Sequence, residues 1–119
     1  MDGYRNTWRG SDLSVVLQAI VNVIDHGMTL QEAVEAPRLW TQGQTVELEV
    51  GFDEQVCAGL ADRGHDTLMV TNVAGGMNGV IIDPETETMT GAACWRADGT
   101  PVGLAGGGAN ANVSFNPLV

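Results

Sequence analysis

Residues Leu13 to His26 have the sequence LSVVLQAIVNVIDH, and the spacing of the apolar side chains predicts an α-helix. One apolar face recurs at helical intervals and consists of Leu13, Val16, Leu17, Ile20 and Ile24. A second apolar face is formed by Val15, Ala19 and Val23. Because a helix with two apolar faces is normally covered on most sides, we expect it to pack against several other elements.

The segment after this helix contains start and stop signals. Gly27 is placed to end the first helix in a left-handed cap. Thr29 and Glu32 fit a capping box, in which a hydroxyl and a carboxylate each satisfy a free amide at the start of a helix. Pro37 disfavours helical backbone at the residue before it. We therefore expect a second, short helix that begins after Thr29 and ends at about Ala36.

The central part of the chain predicts a strand, a helix and another strand. Residues Val46–Val50 alternate in polarity, as a strand with one buried face does, and Arg38–Thr45 is expected to be a loop. Asp53 is a suitable N-cap for a helix over Glu54–Arg63. Val56, Cys57 and Leu60 are expected to face inward. A strand is expected over Thr67–Thr71.

The following part predicts a β-hairpin. Residues Val80–Ile82 and Met89–Trp95 favour strands, and the intervening Asp83–Thr88 is rich in turn-forming residues. Together with the helices, these strands predict an α+β fold in which antiparallel strands have helices packed on them. We divide the chain into an irregular lead-in over 1–12, a structured region over 13–98 and a glycine- and asparagine-rich tail over 99–119. Ser11 or Asp12 is expected to be the N-cap of the first helix.

The charge of the chain limits its partners. It has 119 residues and a formal net charge of −10, from 15 acidic and 5 basic residues. Such a charge repels nucleic-acid phosphates and anionic lipid headgroups, so neither is an expected partner. No apolar run is long enough to span a bilayer, and no signal peptide precedes the first helix. We expect a soluble protein, and the sequence does not indicate its compartment.

No cofactor, metal site or complete active site is predicted from the residues themselves. Cys57 and Cys94 lack metal-ligand spacing and are interpreted as two small buried residues, with a single disulfide as the alternative. The glycine-rich Gly75–Gly79 lacks the strand-and-helix context of a phosphate loop. His26 and His65 lie at predicted helix ends, where structural roles are common. The serines lack the flanking glycines of a nucleophile elbow; they are Ser11, Ser14 and Ser114.

Several motifs together resemble the late part of the small chain of gamma-glutamyltransferases. They are Val16–Met28, the EAVEAPR segment Glu32–Arg38, Gly64-His65 after an apolar helix, Gly75–Asp83, and TGAACWR over Thr90–Arg96. The resemblance covers about Leu13 to Asp98, with the motifs in order. It implies part of a four-layer αββα sandwich, the fold of N-terminal-nucleophile hydrolases.

The resemblance also implies a mechanism. In that family a precursor cuts itself, and the new N-terminal threonine attacks a γ-glutamyl amide to form an acyl-enzyme, which water or an amine then resolves. Thr7 is internal and is not that nucleophile, so we assign no catalytic residue in this chain. A paired-glycine loop holds the oxyanion in the family, and here Trp8 and Arg9 occupy its place, followed by Gly10. Gly10 is therefore the candidate oxyanion-loop and substrate-binding residue.

Three explanations remain for a family member without its threonine. The chain is a fragment of a longer enzyme, a subunit whose partner supplies the threonine, or a degenerate member that only binds or scaffolds. We favour the first, with the missing N-terminal part or a second copy of the chain as partner and a γ-glutamyl compound as the substrate of the complete enzyme. Arg38 and Arg96 are expected to be structural, with Asp25, Glu32 and Glu35 as candidate acidic partners.

Overall fold

The structure is a computed structural model and describes residues 10–103. Expectations about Thr7, Trp8, Arg9, Ser114 and the part of the tail beyond Gly103 lie outside the described residues. In chain order the elements are α1 (Gly10–Ile24), α2 (Leu30–Glu35), β1 (Leu39–Thr41), β2 (Thr45–Glu49), α3 (Glu54–Asp62), β3 (Asp66–Val70), β4 (Asn78–Asp83), β5 (Thr88–Ala93) and a 3₁₀ turn (Trp95–Ala97).

Helix α1 begins earlier than its apolar spacing indicated. It starts at Gly10, so the expectation that Ser11 or Asp12 is the N-cap was wrong, since both lie in the first helical turn. Ser11 is buried on the same side as Val15 and Ala19, which means that packing extends the helix by almost one turn. Gly27 follows the helix with a φ of 65°, the left-handed backbone that was expected there.

Only the smaller apolar face of α1 is covered within the described residues. Val15 and Ala19 are buried against α2 and β1. Gln18, from the polar stripe, fixes the helix to β1: its amide donates to the Leu39 carbonyl at 2.9 Å and accepts from the Leu39 N–H at 3.0 Å. The larger face is exposed, with Leu13 at 70% and Ile24 at 73%. The expectation that α1 is covered on most sides therefore does not hold within residues 10–103.

Helix α2 begins as the capping box predicted. The Thr29 hydroxyl accepts from the Glu32 N–H at 3.2 Å. Helix α2 also packs onto the β4–β5 hairpin. The buried residues of this cluster are Val34, Ala92 and Cys94, with Leu30 and Met77 packed around them.

Strands β1, β2 and β3 form one three-stranded sheet. The expectation of a loop over Arg38–Thr45 was wrong, because β1 pairs antiparallel with β2 from Leu39↔Leu48 to Thr41↔Val46. Strands β2 and β3 run parallel, a pairing that the sequence analysis did not predict. The reason is that α3 connects them, and a helical crossover returns the chain in the same direction.

Helix α3 has the expected cap but not the expected burial. The Asp53 carboxylate accepts from the Gln55 N–H at 3.1 Å. Val56, expected to face inward, is 44% exposed, and no residue of α3 is fully buried. Helix α3 packs on β3 only, so part of its apolar surface has no cover among residues 10–103.

The hairpin predicted near the end of the chain is present. Strands β4 and β5 pair antiparallel from Asn78↔Ala93 to Asp83↔Thr88. The Asp83 carboxylate accepts from the Glu85 N–H at 2.9 Å and so closes the turn. The strand faces away from α2 are exposed and apolar, and they present Val80, Ile82 and Met89. Among the described helices, none is long and apolar enough to cross a bilayer.

The Thr29 cap generates a test of stability. We expect Thr29→Ala to lower the free energy of unfolding by about 1 kcal/mol, because the Glu32 amide loses its acceptor. Thr29→Ser keeps the hydroxyl and should stay within about 0.5 kcal/mol of the parent. Urea unfolding monitored by circular dichroism measures both, and equal effects of the two substitutions would contradict the cap.

Candidate functional site

A buried carboxylate lies at the end of β2. Glu49 is 1% exposed, although glutamate is rarely buried unless it is paired. Two backbone amides donate to it: the Val73 N–H at 2.7 Å and the Arg38 N–H at 2.9 Å. Glu49 therefore holds the loop after β3 to the segment between α2 and β1.

Arg96 completes the pairing of Glu49. Its guanidinium forms a two-point ion pair, from Nε to Oε1 at 2.7 Å and from Nη2 to Oε2. It also donates to the carbonyls of Val34 and Ala36, each at 3.0 Å, at the C-terminal end of α2. This planar fork connects the end of the hairpin, the end of α2 and strand β2, which a lysine could not do with the same geometry.

Arg38 also holds the loop after β3, through the carbonyl groups of that loop. It is 3% exposed and donates through Nη1 to the carbonyls of Val73 at 3.1 Å and Gly75 at 2.8 Å. The loop between these two residues contains Ala74 with a φ of 59°, a left-handed conformation that is strained for a residue with a side chain. Arg38 and Glu49 thus hold a strained loop through its backbone.

Both arginines have the structural environment that was expected, but their acidic partner was not foreseen. Asp25, Glu32 and Glu35 make no ion pair with Arg38 or Arg96 among the described residues; Arg96 pairs with Glu49, and the Arg38 guanidinium donates to backbone carbonyls. In the sequence, the alternating polarity of Val46–Val50 placed Glu49 and Glu47 on the polar face of the strand. The burial of Glu49 could not be predicted from this pattern, because it depends on the loop after β3, which is distant in sequence.

Glu49 and Arg96 stabilise each other's charged form. Burial alone would raise the pKa of Glu49, but hydrogen bonds from Arg96, Val73 and Arg38 outweigh it and lower that pKa below its ordinary value. Burial would lower the pKa of Arg96, but its bonds to Glu49 raise it. Burial and the neighbouring Arg96 charge lower the pKa of Arg38. No buried side-chain polar atom in the described residues lacks a hydrogen-bond partner.

Cys94 belongs to the same cluster. Its Sγ accepts from the Met77 N–H at 3.1 Å and lies 3.6 Å from Nη2 of Arg38. Burial would raise the pKa of Cys94, but hydrogen bonds from Met77 and Arg96 and the charge of Arg38 lower it. Cys57 is half-buried, so the expectation of two buried cysteines holds for Cys94 alone, and both are free thiols.

The loop held by Arg38 and Glu49 forms one wall of an open cleft of about 750 Å³. The start of α1 and the β1–β2 hairpin also line the cleft. The described residues that line it are Gly10, Ser11, Asp12, Trp40, Gln42, Glu47, Asn72, Val73, Ala74 and Gly75. A volume of this size suits a small-molecule ligand.

Gly10, the candidate oxyanion-loop residue, lies at this cleft, in contact with Trp40. A Cβ atom at Gly10 would lie 2.9 Å from Cη2 of Trp40, so the glycine allows the indole ring to approach the helix start. Gly10 is the first residue of α1 that the structure describes. Trp40 lies in β1, in the segment that the sequence predicted to be a loop.

The other residues considered from the sequence do not form a second site. His26 and His65 are exposed at helix ends and far apart in the element order. Gly75 belongs to the cleft wall, and Gly79 lies in β4 against Leu30. Within residues 10–103, no group of three or more potential ligand side chains is arranged to hold a metal ion.

Comparison with known proteins identifies relatives. The family model described as gamma-glutamyltranspeptidase matches residues 10–104. The Acylase ACY 1 proenzyme of Pseudomonas sp. (strain V22) is 58% identical over 99 residues, which are 83% of this chain and 18% of the acylase. The glutathione hydrolase proenzyme of Bacillus subtilis (strain 168) is 32% identical over 93 residues, or 77% of this chain and 16% of the hydrolase.

A solved structure extends the comparison to the fold. The cephalosporin acylase from Bacillus halodurans superposes with a TM-score of 0.72 and 31% identity, covering 78% of this chain and 18% of the acylase. The elements described here thus have the α+β architecture of an N-terminal-nucleophile hydrolase and form part of its αββα sandwich, as the sequence predicted. The chain spans less than a fifth of the length of these relatives.

Glu49 and Glu47, two residues apart on β2, provide a matched pair for mutation. Glu49→Gln removes the charge that pairs with buried Arg96, and we expect it to cost about 3–5 kcal/mol of unfolding free energy. Glu47→Gln changes a half-buried carboxylate without a hydrogen bond in the described part of the chain, and should cost less than about 0.5 kcal/mol. Urea unfolding measures both, and a loss below 1 kcal/mol for Glu49→Gln would contradict the role of the cluster.

The lowered pKa of Glu49 also predicts a pH dependence. The ionised Glu49 carboxylate stabilises the fold fully above the ordinary carboxyl pKa of 4.5. This stabilisation is lost as the pH falls through the lower pKa that Glu49 has in the folded chain. The difference in melting temperature between the parent and Glu49→Gln should therefore narrow below pH 4.5. A difference that stays constant from pH 7 to pH 3 would contradict the lowered pKa.

Proposed function

Because the chain belongs to the gamma-glutamyltranspeptidase family, we propose that it is the C-terminal portion of the small subunit of an acyl-transferring amidohydrolase. In this proposal the complete enzyme transfers an acyl group from a γ-glutamyl or related amide to water or an amine. The nucleophilic threonine comes from a part of the enzyme other than residues 10–103. The observation that supports this most directly is 58% identity with an acylase proenzyme over 99 residues, 83% of the chain.

The contribution of this portion is a wall of the active site. The helix dipole of α1 gives its N-terminal end a partial positive charge, which favours developing negative charge nearby. A tetrahedral intermediate of acyl transfer develops such a charge on its oxygen. We assign Gly10 to that position because it opens α1 at the cleft. Glu49, Arg38 and Arg96 hold the opposite loop and do not take part in the reaction.

Exposed apolar surface supports the view that this portion functions within a larger body. The uncovered face of α1 and the outer face of the hairpin contain large side chains that are 45–74% exposed, including Val16, Leu17, Val80 and Met89. Each such side chain left in water forgoes about 1.5–3 kcal/mol. In this proposal, helices and strands from the rest of the sandwich cover these faces.

A chimeric proenzyme tests the proposal. The 99-residue segment of Acylase ACY 1 that matches this chain would be replaced by the corresponding residues of the chain. We expect the chimera to cleave itself into two subunits and to hydrolyse the substrate of that acylase, whereas the chain alone should show no turnover above a heat-treated control. Turnover by the chain alone would contradict the proposal that the nucleophile comes from another part of the enzyme. A folded chimera without activity would favour the alternative of a non-catalytic binding or scaffolding module.

Two glycine variants of the chimera test the assignment of Gly10. Gly10→Ala places a methyl group 2.9 Å from Trp40 and displaces the backbone at the cleft, so kcat should fall at least about tenfold. Gly59→Ala, in exposed helix α3, meets only the flexible end of Arg63 and should leave kcat within about twofold. Equal activity of the two variants would exclude Gly10 from the oxyanion position.

The exposed faces also predict the behaviour of the separate chain. We expect it to form a dimer or larger species at micromolar concentration and to bind a dye specific for exposed apolar surface, because pairing of like faces is the simplest way to cover them. Sedimentation velocity measures the size. A monomer that binds no dye would show that the chain covers its own surface.

A further inference from the structure

The buried cluster around Glu49 contains two arginine side chains and only one carboxylate. Both oxygens of Glu49 are already occupied, by the Arg96 guanidinium and by the backbone N–H groups of Val73 and Arg38. The charge of Arg96 is therefore balanced by an ion pair. The Arg38 side chain, by contrast, has no carboxylate partner among residues 10–103.

Arg38 is buried deeply enough for this imbalance to matter. Its residue is 3% exposed, and an ion that is buried without an opposite charge is strongly unfavourable. Its Nη1 donates to the carbonyls of Val73 and Gly75, and its Nη2 contacts the Val34 carbonyl at 3.5 Å and the Cys94 sulfur at 3.6 Å. Of the groups bonded to this guanidinium in the described part of the chain, only the Cys94 sulfur can become an anion.

The surroundings of the Cys94 sulfur consist of hydrogen-bond donors. Cys94 is 1% exposed, and its Sγ accepts from the Met77 N–H at 3.1 Å. The backbone N–H and the guanidinium of Arg96 are further donors to it. No hydrogen bond donated by this sulfur is found within residues 10–103. Such a shell favours the thiolate over the thiol, because a thiolate only accepts and has no proton to place.

The other charged groups around Cys94 do not change their charge in the pH range where a thiol titrates. Arginine stays protonated there, and hydrogen bonds that outweigh burial keep the pKa of Glu49 below its ordinary value of 4.5. Burial opposes ionisation of Cys94, but hydrogen bonds from Met77 and Arg96 and the charge of Arg38 lower the pKa of Cys94 below its ordinary value of 9.0. Both histidines of the chain are exposed at helix ends outside the cluster. A pH effect on this cluster between those two values therefore belongs to Cys94.

We propose that Cys94 is the second anion of this cluster: as a thiolate it balances the charge of Arg38 and joins the end of β5 to the loop after β3. On ionisation the thiol proton passes to water. As the pH falls and Cys94 takes up a proton, Arg38 is left unbalanced and the junction behind the cleft wall weakens. This role does not depend on the proposed function, because Cys94 acts on the loop through Arg38 and Met77 and takes no part in bond cleavage.

Titration of Cys94 in the 119-residue chain tests its ionisation directly. Cys57→Ser leaves Cys94 as the single thiol, and the ¹³C resonance of its labelled Cβ atom reports the loss of the proton. We expect the midpoint to lie at lower pH in the folded chain than in the same chain denatured in urea. Arg38→Gln should move the folded-chain midpoint to higher pH. Arg63→Gln, which changes an exposed arginine that also donates to a backbone carbonyl, should leave it in place.

The pH dependence of stability provides a second test, which does not require Arg38→Gln to fold. Because the pKa of Cys94 is lowered, its stabilising effect is complete above the ordinary pKa of 9.0 and is lost as the pH falls through the lower pKa of the folded chain. Cys94→Ser keeps a hydrogen-bond acceptor of similar shape that does not ionise in this range. The free energy of unfolding lost through Cys94→Ser should therefore grow as the pH rises from 6 to 9, as measured by urea unfolding at each pH.

Three results would overturn the inference. The first is a folded-chain midpoint at or above that of the denatured chain. The second is a loss through Cys94→Ser that is equal at every pH, because packing and a neutral hydrogen bond do not vary with pH. The third is a folded Arg38→Gln variant with an unchanged midpoint, since the thiolate would then not balance Arg38.

Discussion

The structure depends on one buried carboxylate and the two arginines around it. Glu49 lies at the end of β2 and receives hydrogen bonds from the loop after β3, from the segment before β1 and from Arg96 after β5. These segments are distant in sequence, and the apolar cluster around Val34 is too small to join all of them. Removing one partner would leave a charge buried without compensation, so the cluster specifies one arrangement of the segments.

The location of this cluster explains the shape of the cleft. The loop with Asn72 and Ala74 has no regular secondary structure, and Ala74 adopts a strained backbone conformation. A loop of this kind keeps its shape only where its surroundings fix it. Here its carbonyl and amide groups are fixed from behind by Arg38 and Glu49, which leaves its outer surface free to face Gly10 and Trp40. A rigid wall opposite a helix start is a suitable arrangement for orienting a substrate.

Local signals in the sequence predicted the elements that depend on local chemistry. The Thr29 cap, the left-handed Gly27 and the hairpin around Asp83 each involve residues close in sequence, and each is present. The α+β class and the family followed from motif order. Strand β1, the parallel pairing of β2 with β3 and the partner of Arg96 were missed, because each is decided by contacts between distant segments. The start of α1 was misplaced for the same reason, since Ser11 is helical through packing. The oxyanion role of Gly10 stays a prediction.

Hydrogen exchange at a single amide tests most directly whether the Glu49 cluster fixes the cleft wall. The N–H groups of Val73 and Glu85 both lie outside strands and both donate to a carboxylate, at 2.7 Å and 2.9 Å. The Val73 bond is buried and belongs to the cluster, whereas the Glu85 bond is in an exposed turn. We predict that the Val73 amide exchanges as slowly as amides of β2, because it opens only when the core opens, and that the Glu85 amide exchanges at a rate typical of turns. Exchange of Val73 as fast as that of Glu85 would contradict a role of the cluster in fixing this loop, since the loop would then move independently of Glu49.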